Sequence, residues 1–183
     1  EEPASDLDYV KENGKLVVGI TDFAPMDYED ENGEWIGFDA DMAKEFAEYL
    51  GVEVEFIVID WDNKIFELEN KSIDVVWNGM TLTDKVKDAM GTSDPYCKNA
   101  QVVVMKKDAI EKYADVESLK GLKFAAEAGS AGESAIKDNG LDENYNPVAA
   151  QTDALLAVMG GQADACVIDI TMANAMTGEG TSY

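Results

Sequence analysis

Short apolar runs alternate along this chain with longer segments whose apolar residues recur at helical spacing. The runs Lys15–Thr21, Val52–Asp60 and Ile73–Asn78 are rich in β-branched residues and predict strands. Residues 40–51 and 61–72, which lie between them, predict helices. An order of strand, helix, strand, helix, strand is typical of a parallel α/β sheet with right-handed crossovers.

Local signals add detail to the first of these helices and to the segment before it. Asp39 is its predicted N-cap, and Gly51 is expected to end it. Asn32 and Gly33 lie between two short runs and predict a β-hairpin or a turn. The apolar side of the helix is predicted to consist of Met42, Phe46, Tyr49 and Leu50.

The α/β pattern restarts in the second half of the chain. After a strand at residues 100–105, residues 122–140 predict a strand, a glycine-rich turn and a helix. A short strand, a helix and a strand that runs into a helix follow, up to residue 176. The sequence therefore predicts two lobes, and we place residues 1–102 in the first and residues 103–183 in the second.

Three predicted loops follow strand ends and suggest where a ligand would bind. They are Asp22–Pro25, Asp60–Asp62 and Asn78–Thr83. Ligands of parallel α/β sheets bind beyond the carboxyl ends of the strands. The third loop also leads into a predicted helix start followed by Lys85, an arrangement that favours an anion.

The composition removes several classes of function. The formal net charge is -24, with 38 acidic residues, and the chain has neither histidine nor arginine. Nucleic acid is therefore not an expected partner, and histidine-dependent triads and imidazole metal sites are excluded. Cys97 and Cys166 form no CxxC motif, so we predict two buried thiols rather than one disulfide. No metal or cofactor is implied.

Six stretches, taken in order along nearly the whole chain, resemble the amino-acid-binding solute receptors of ABC transporters. This resemblance is to the bacterial extracellular solute-binding family 3, and it implies an α/β, two-lobe Venus-flytrap fold of the type II periplasmic-binding-protein kind. The stretches are "KLVVGITDFAPMDY", "GEWIGFDADMAKEFAEYLG", "IDVVWNGMTLTDKVK", "SDPYCKNAQVVV", "LKGLKFAAEAGSAGE" and "GQADACVIDITMA".

The resemblance also implies roles for individual residues. Phe23 and Trp61 match aromatic positions that enclose the ligand side chain, and Gly79 and Thr81 match the loop that receives its α-carboxylate and α-amino groups. The backbone N–H of Ala131 would meet the carboxylate. Asp169 matches the carboxylate that pairs with the α-ammonium, and an ammonium out of water needs such an acceptor. The predicted ligand-binding set is Asp22, Phe23, Trp61, Asn78, Gly79, Met80, Thr81, Lys85, Glu127, Ser130, Ala131 and Asp169.

Purely structural roles remain open for most of these residues. Phe23 and Trp61 are alternatively packing aromatics, and the "AGSAG" turn is alternatively a plain helix cap. Asp169 would equally suit the cap of the helix that follows it. Glu127 lies where the family often places a specificity residue, but an exposed rim charge fits the sequence as well.

Val86 departs from the pattern that the resemblance implies. It occupies the position of an arginine that binds the ligand carboxylate through two hydrogen bonds. Lys85 or Lys87 would compensate only as a point charge. Losing one such charge-assisted bond weakens binding by about 1.5–3 kcal/mol. Weakened amino-acid binding, a ligand without an α-carboxylate and a chain that no longer binds are all open interpretations.

The resemblance further implies that relatives continue beyond the last residues, "GTSY". We therefore expect a truncated or engineered form whose first lobe is incomplete and open to self-association. The polar residues 1–15 fit what remains after a signal or lipid-anchor segment is removed.

The expected function is extracytoplasmic binding of an amino acid, or of a similar small polar zwitterion, for uptake by an ABC transporter. The partners would be that ligand and the permease subunits, with the protein in the periplasm or anchored on the outer face of the membrane. A non-binding assembly form is the first alternative. A dehydratase-like enzyme that uses Asp169 or Glu127 as a general acid is the second.

Overall fold

The computed structural model describes residues 5–178, and the chain divides between Met80 and Thr81 into two compact units. Both units combine helices with a sheet, as predicted. The lobe boundary after residue 102 stays a prediction, although the division between the compact units lies earlier in the chain. None of the helices described in residues 5–178 has the length and apolarity needed to cross a bilayer.

The first unit is built on a parallel three-stranded sheet in the order β4-β1-β5, with a separate two-stranded hairpin, β2-β3. A 3-10 turn at Trp61–Asn63 leads into its third helix. Its strands are β1 (Lys15–Ile20), β2 (Tyr28–Glu29), β3 (Trp35–Ile36), β4 (Glu53–Val58) and β5 (Val75–Val76). Its helices are α1 (Asp6–Asn13), α2 (Phe38–Leu50) and α3 (Lys64–Glu69).

Strand β1 holds the core of the first unit together because its two faces meet different elements. Leu16, Val18 and Ile20 pack with Ala43 and Ala47 of α2. The opposite face packs against the cluster of Ile59, Trp61 and Ile73. The parallel order and the predicted hairpin at Asn32 and Gly33 are both confirmed.

Helix α2 turns a different face to the sheet than its sequence predicts. Ala40, Ala43 and Ala47 are buried, whereas the side chains of Met42, Phe46 and Tyr49 are exposed, Tyr49 by 84%. This predicted apolar side of the helix is therefore not the side that packs on the sheet. Small alanines let the helix axis come close to the sheet, so burial follows the small residues rather than the large ones. The predicted self-association through this lobe stays a prediction.

The start of α2 is capped by backbone carbonyls and not by a side chain. The N–H groups of Phe38 and Asp39 donate to the carbonyl oxygens of Pro25 and Met26, at 3.0 and 2.9 Å. The N-cap is Gly37, with φ of 120° and no side-chain cap. The prediction that Asp39 caps the helix is wrong, because its carboxylate reaches elsewhere.

The second unit has a four-stranded sheet in the order β6-β9-β7-β8, in which only β6 runs antiparallel to its neighbour. Its strands are β6 (Gln101–Met105), β7 (Lys123–Glu127), β8 (Asn144–Val148) and β9 (Ala165–Asp169). Its helices are α4 (Asp84–Ala89), α5 (Lys107–Ile110), α6 (Ala131–Asp138), α7 (Gln151–Met159) and α8 (Ile170–Met176). A 3-10 turn lies at Glu117–Leu119. Its core gathers residues of β7, β9 and α6, including Phe124, Ile136 and Val167.

The two cysteines are thiols, as predicted, and no disulfide joins them. Cys166 is buried in β9, and this burial raises the pKa of its thiol to about 12. Cys97 is exposed, so the prediction that both thiols are buried is wrong for it. Cys97 lies in residues 91–100, which are exposed and belong to no helix or strand.

Candidate functional site

In the first unit, the segments that follow β1 and β5 are joined by a reciprocal pair of hydrogen bonds. The backbone N–H of Thr21 donates to Oδ1 of Asn78 at 3.1 Å, and Nδ2 of Asn78 donates to Oγ1 of Thr21 at 2.8 Å. Both residues are buried. The ends of two adjacent strands, after which two of the three predicted loops begin, are thus held together within this unit.

Gly79 follows Asn78 in the chain, and its backbone lies very close to the side chain of Phe23. Its φ is 59°, and a Cβ there would lie 2.7 Å from Cε1 of Phe23. Its N–H donates to Oδ2 of Asp39. Asp39 therefore anchors the predicted ligand loop instead of capping α2, and the ring of Phe23 packs close to Gly79. Asp22, next to Phe23, is exposed.

The two predicted ligand aromatics are both buried within the first unit. Phe23 is 2% exposed and Trp61 is 7% exposed. Trp61 packs with Ile59, Ile73 and the partly buried Met80. Nζ of Lys64 lies 4.7 Å from the centre of the Trp61 ring, at cation–π distance. Packing is thus the role that these contacts document, and contact with a ligand stays a prediction.

Asp27 is the most unusual ionisable group of the first unit. It is fully buried, and neither of its carboxyl oxygens has a hydrogen-bond partner within residues 5–178. Burial, and secondly the charge of Asp39, raise the pKa of Asp27 to about 8. At neutral pH the folded chain therefore holds a proton here that the unfolded chain releases.

This proton makes the stability of the chain depend on pH. The folded-state pKa exceeds the unfolded value of 3.8, so stabilisation by the proton is complete below about pH 4 and is lost as the pH rises towards 8. Each pKa unit corresponds to about 1.4 kcal/mol, so we expect a loss on the order of a few kcal/mol over this window. Urea unfolding of the native chain and of Asp27→Asn at several pH values measures it.

The Asp27→Asn variant should show a flatter decline in unfolding free energy between pH 5 and 8. Asp41→Asn is the matched control, because it removes one exposed carboxylate of α2 with the same change in charge. This control should keep the native slope. Equal slopes for the native chain and for Asp27→Asn would show that Asp27 does not hold the proton.

In the second unit, Asp169 lies at the end of β9 and is buried among amide donors. Oδ1 accepts from Nδ2 of Asn99 and, at 2.6 Å, from Nε2 of Gln101. Oδ2 accepts from Nε2 of Gln151, whose Oε1 in turn accepts the backbone N–H of Asp169 at 2.7 Å. Gln151 is itself buried, so both ends of its amide hold Asp169 in place.

These contacts argue against the capping role of Asp169, and its role in binding a ligand stays a prediction. It is the N-cap residue of α8, yet its carboxylate makes no capping hydrogen bond. Within residues 5–178, every group that hydrogen-bonds to the carboxylate is a neutral amide, and no lysine pairs with it. Burial raises the pKa of Asp169, and the three amides partly offset this effect. Among the described residues, the site therefore holds a buried carboxyl group that no cation pairs with.

The N-terminus of α6 lies close to this carboxylate in the same unit. A Cβ on Gly132 would be 2.7 Å from the carbonyl oxygen of Val167 and 3.2 Å from Oε1 of Gln101, the residue that also donates to Asp169. Gly132 thus lets the first turn of α6 approach the end of β9. The N–H groups of a first helical turn have no partner inside the helix and favour an anion.

Ser130 and Glu133 shape this helix start. Oγ of Ser130 accepts from the backbone N–H of Glu133 at 3.1 Å, and Oε2 of Glu133 accepts from the N–H of Gly129 at 2.8 Å. Ser130 thus caps α6, and Glu133 binds the N–H of the residue before this cap, so the helix-cap role of "AGSAG" is confirmed. Ala131, the first residue of α6, is partly exposed at the point where the sequence predicts an anion.

The remaining predicted residues of the second unit divide between exposed and buried positions. Thr81 is partly buried, and its Oγ1 accepts from Nδ2 of Asn99 at 3.0 Å. Lys85 is exposed on α4, while Val86 is only 4% exposed. Glu127, at the end of β7, is buried, so it is not an exposed rim charge.

Sequence reasoning missed the three amides that surround Asp169. Asn99, Gln101 and Gln151 were assigned no role, and they lie 70, 68 and 18 residues from Asp169 in the chain. The pairing of β6 with β9 places Gln101 opposite Asp169, and Gln151 reaches the carboxylate from the start of α7. Antiparallel pairing at that register would have been the signal to look for.

Comparison with known proteins agrees with this arrangement. The family model of the bacterial extracellular solute-binding proteins, family 3, matches residues 16–174. The chain belongs to this family. Its α/β fold is accordingly that of the type II periplasmic binding proteins, a fold shared with amino-acid-binding relatives. The family is one of solute-binding, extracellular proteins rather than enzymes.

Individual relatives of this family-3 chain are named for amino-acid binding. The L-cystine-binding protein TcyJ of Escherichia coli is 31% identical over 134 residues, which are 73% of this chain and 50% of TcyJ. The chain thus spans about half the length of that relative. The arginine-bound form of truncated ArgBP from T. maritima is 37% identical with a TM-score of 0.88, over 96% of this chain and 82% of that one. An ancestral amino-acid-binding protein, described as a precursor of cyclohexadienyl dehydratase, is 36% identical with a TM-score of 0.88, over 93% and 77%.

Proposed function

We propose that this chain binds a free amino acid through both of its ionic groups. The observation that carries the proposal is the buried carboxylate of Asp169, which has amide partners but no cation among the described residues, beside the first turn of α6. A ligand with an ammonium and a carboxylate on one carbon supplies the missing positive charge and an anion for the helix terminus. An ammonium alone would pair with Asp169 but not with the helix terminus, and a carboxylate alone would bind the helix terminus but not Asp169.

Electrostatics explains why a zwitterion fits better than a simple cation or anion. A buried carboxylate without a counter-charge is unfavourable, and an ammonium within hydrogen-bond reach relieves this penalty. The partial positive charge of the α6 terminus is worth about 0.3–1 kcal/mol to an exposed anion and more where water is excluded. In this proposal Asp169 receives the ammonium, together with Thr81, and Ala131 donates its N–H to the carboxylate.

Within the first unit, we propose that the loop around Gly79 takes part in ligand binding. Asp39 accepts a hydrogen bond from the N–H of Gly79 and the ring of Phe23 lies close to Gly79, so both restrain the backbone of that loop. The further residues that we propose to contact the ligand or shape its pocket are Asp22, Phe23, Trp61, Asn78, Gly79, Met80, Lys85, Glu127 and Ser130.

The relatives suggest a cellular role for such binding. ArgBP and TcyJ are named for single amino acids, and the family is one of extracellular solute-binding proteins. We propose that the protein to which this chain belongs captures an amino acid outside the cytoplasm and delivers it to the permease subunits of an ABC transporter.

A thermal-shift screen tests the proposal. The native chain is heated with each of the twenty standard amino acids and with L-cystine at millimolar concentration. A ligand that binds only the folded chain raises the unfolding midpoint in proportion to its affinity. We expect at least one amino acid to raise the midpoint, and no shift with its analogue that lacks the amino group. A panel without any shift would contradict amino-acid binding.

Binding without turnover separates this proposal from an enzymatic one. One structural relative is described as the precursor of a dehydratase. Proton NMR of the bound amino acid after prolonged incubation should show only the starting compound. A product that accumulates with native chain and not with Asp169→Asn would favour the enzyme.

Restoring an arginine at residue 86 should strengthen binding. A guanidinium forms two parallel hydrogen bonds with a carboxylate, which valine does not. We expect Val86→Arg to bind the amino acid about ten- to a hundredfold more tightly, as measured by calorimetry.

The control is Val86→Met, which is long and uncharged and so tests the effect of side-chain length alone at this buried position. Unfolding midpoints of both variants without ligand show how each one disturbs α4. A folded Val86→Arg that binds no more tightly than Val86→Met would show that α4 does not face the ligand carboxylate.

A further inference from the structure

Asn99 holds together two groups that the proposed function assigns to the ligand. Its Nδ2 donates to Oγ1 of Thr81 at 3.0 Å and also to Oδ1 of Asp169. Its Oδ1 accepts the backbone N–H of Ala100 at 2.9 Å. That bond fixes the amide orientation, because the oxygen faces a donor and the NH₂ group therefore faces the two acceptors.

The NH₂ group of Asn99 resembles the α-ammonium of an amino acid in its hydrogen-bonding chemistry. It is a nitrogen with two N–H bonds, aimed at a hydroxyl oxygen and at a buried carboxylate. An α-ammonium bound to Thr81 and Asp169 would direct its own N–H bonds at the same two atoms. A third nitrogen cannot share this place on Oδ1, because Gln101 already donates to that oxygen.

We propose that the Asn99 side chain occupies the ammonium subsite of the ligand-free chain and that a bound amino acid displaces it. This inference rests on the proposed function, because it concerns the subsite that Thr81 and Asp169 would form. Asn99 then acts as an internal competitor: it keeps the carboxylate hydrogen-bonded in the absence of ligand and lowers the affinity for any group that binds there.

The location of Asn99 allows this exchange. It is exposed and lies within residues 91–100, which form no helix or strand. The other two amides are anchored, Gln101 in β6 and Gln151 at the buried start of α7. Of the three amide donors, Asn99 can therefore move away from Asp169 with the least disturbance of the fold. A charged ammonium donates a stronger hydrogen bond to a carboxylate than a neutral amide does, so the exchange favours a cation over a neutral group.

Removal of the competitor should therefore tighten the binding of amino acids selectively. We expect Asn99→Ala to bind the amino acid found in the thermal-shift panel about five- to tenfold more tightly than the native chain, by calorimetry. The analogue of that amino acid without the amino group should gain nothing. Asn144→Ala is the control, because Asn144 donates to the carbonyl oxygen of Gly121, away from Asp169, and it should leave both affinities unchanged.

A second measurement does not depend on ligand. The Asn99 hydrogen bond lowers the pKa of Asp169 against the effect of burial, so Asn99→Ala should raise that pKa in a carbon-13 NMR titration of the carboxyl group. Asn144→Ala should not change it.

The outcomes separate this inference from the proposed function. An unchanged pKa of Asp169 in Asn99→Ala would overturn the inference whatever the ligand does. Native chain that binds an amino acid, with Asn99→Ala binding it equally or more weakly, would overturn the inference and leave the proposed function standing. A raised pKa with no amino acid bound by either protein would refute the proposed function, and the competitor role with it.

Discussion

Asp169→Ala is expected to weaken amino-acid binding by about thirtyfold or more. The substitution removes the carboxylate proposed to receive the ligand ammonium. Truncating one partner of a buried, hydrogen-bonded charge pair costs about 2–5 kcal/mol of binding free energy, which corresponds to roughly thirty- to several-thousandfold in affinity. Calorimetric titration of both proteins with the amino acid found in the thermal-shift panel measures this effect.

Two comparisons make this result specific. Asp138→Ala removes an exposed carboxylate from the end of α6 in the same unit, and it should bind as the native chain does. Circular dichroism of Asp169→Ala checks the fold, because the substitution leaves the amides of Gln101 and Gln151 without their acceptor. A folded Asp169→Ala with native affinity would contradict the assigned role.

Gly37→Ala is expected to cause the largest loss of stability, about 3–5 kcal/mol in the free energy of unfolding. A Cβ at this position would lie 2.3 Å from the carbonyl oxygen of Met26 and 2.8 Å from that of Pro25. These are the carbonyls that cap the start of α2, so relieving the clash would break the cap. The φ of 120° adds strain for any residue with a Cβ.

Gly33 and Gly91 provide matched controls for this loss. Gly33 has φ of 78° but nothing within 4 Å of a built Cβ, so Gly33→Ala isolates backbone strain and should lose about 1–2 kcal/mol. Gly91 has neither feature, and Gly91→Ala should be close to neutral. Urea unfolding of the three variants gives the comparison. If Gly37→Ala loses no more unfolding free energy than Gly33→Ala, the close carbonyl contacts do not destabilise the variant and the prediction is wrong.

The strands and their order could be predicted from the sequence because short apolar runs report burial directly. Leu16, Val18 and Ile20 alternate with residues of the opposite face, and the same run pairs with β4 along its whole length. The hairpin followed from Asn32 and Gly33, since a two-residue signal fixes a local backbone conformation. These features depend on near neighbours in the chain.

The face of α2 could not be predicted because it depends on how closely the helix approaches the sheet. A pattern of large apolar residues indicates Met42, Phe46 and Tyr49, whereas the sheet contacts Ala43 and Ala47. Sequence periodicity does not distinguish a helix packed through alanines from one packed through large side chains. The distance between α2 and the sheet decides which face of the helix is buried, and the sequence does not give this distance.

Only part of the candidate site could be predicted, because some of its residues are brought together by contacts between elements that lie far apart in the chain. Asp169 was predicted because it matches the ammonium-binding carboxylate that the family resemblance implies, and because a carboxylate at a strand end suits an ammonium held out of water. Asn99 and Gln151 were missed, because a neutral amide carries no signal until the fold brings it to a charge. Asp39 was assigned to the nearer partner, its own helix, although it reaches Gly79, 40 residues further along.

The measurement that tests the central claim most directly is a calorimetric comparison of one amino acid with two of its analogues. One analogue lacks the amino group and the other lacks the carboxylate, while both keep the same side chain. If the ligand is held through both ionic groups, each analogue should bind the native chain at least tenfold more weakly than the parent amino acid, a difference of about 1.4 kcal/mol. An analogue without the amino group that binds as tightly as the parent would contradict the role of Asp169 and, with it, the binding of a zwitterion through both ionic groups.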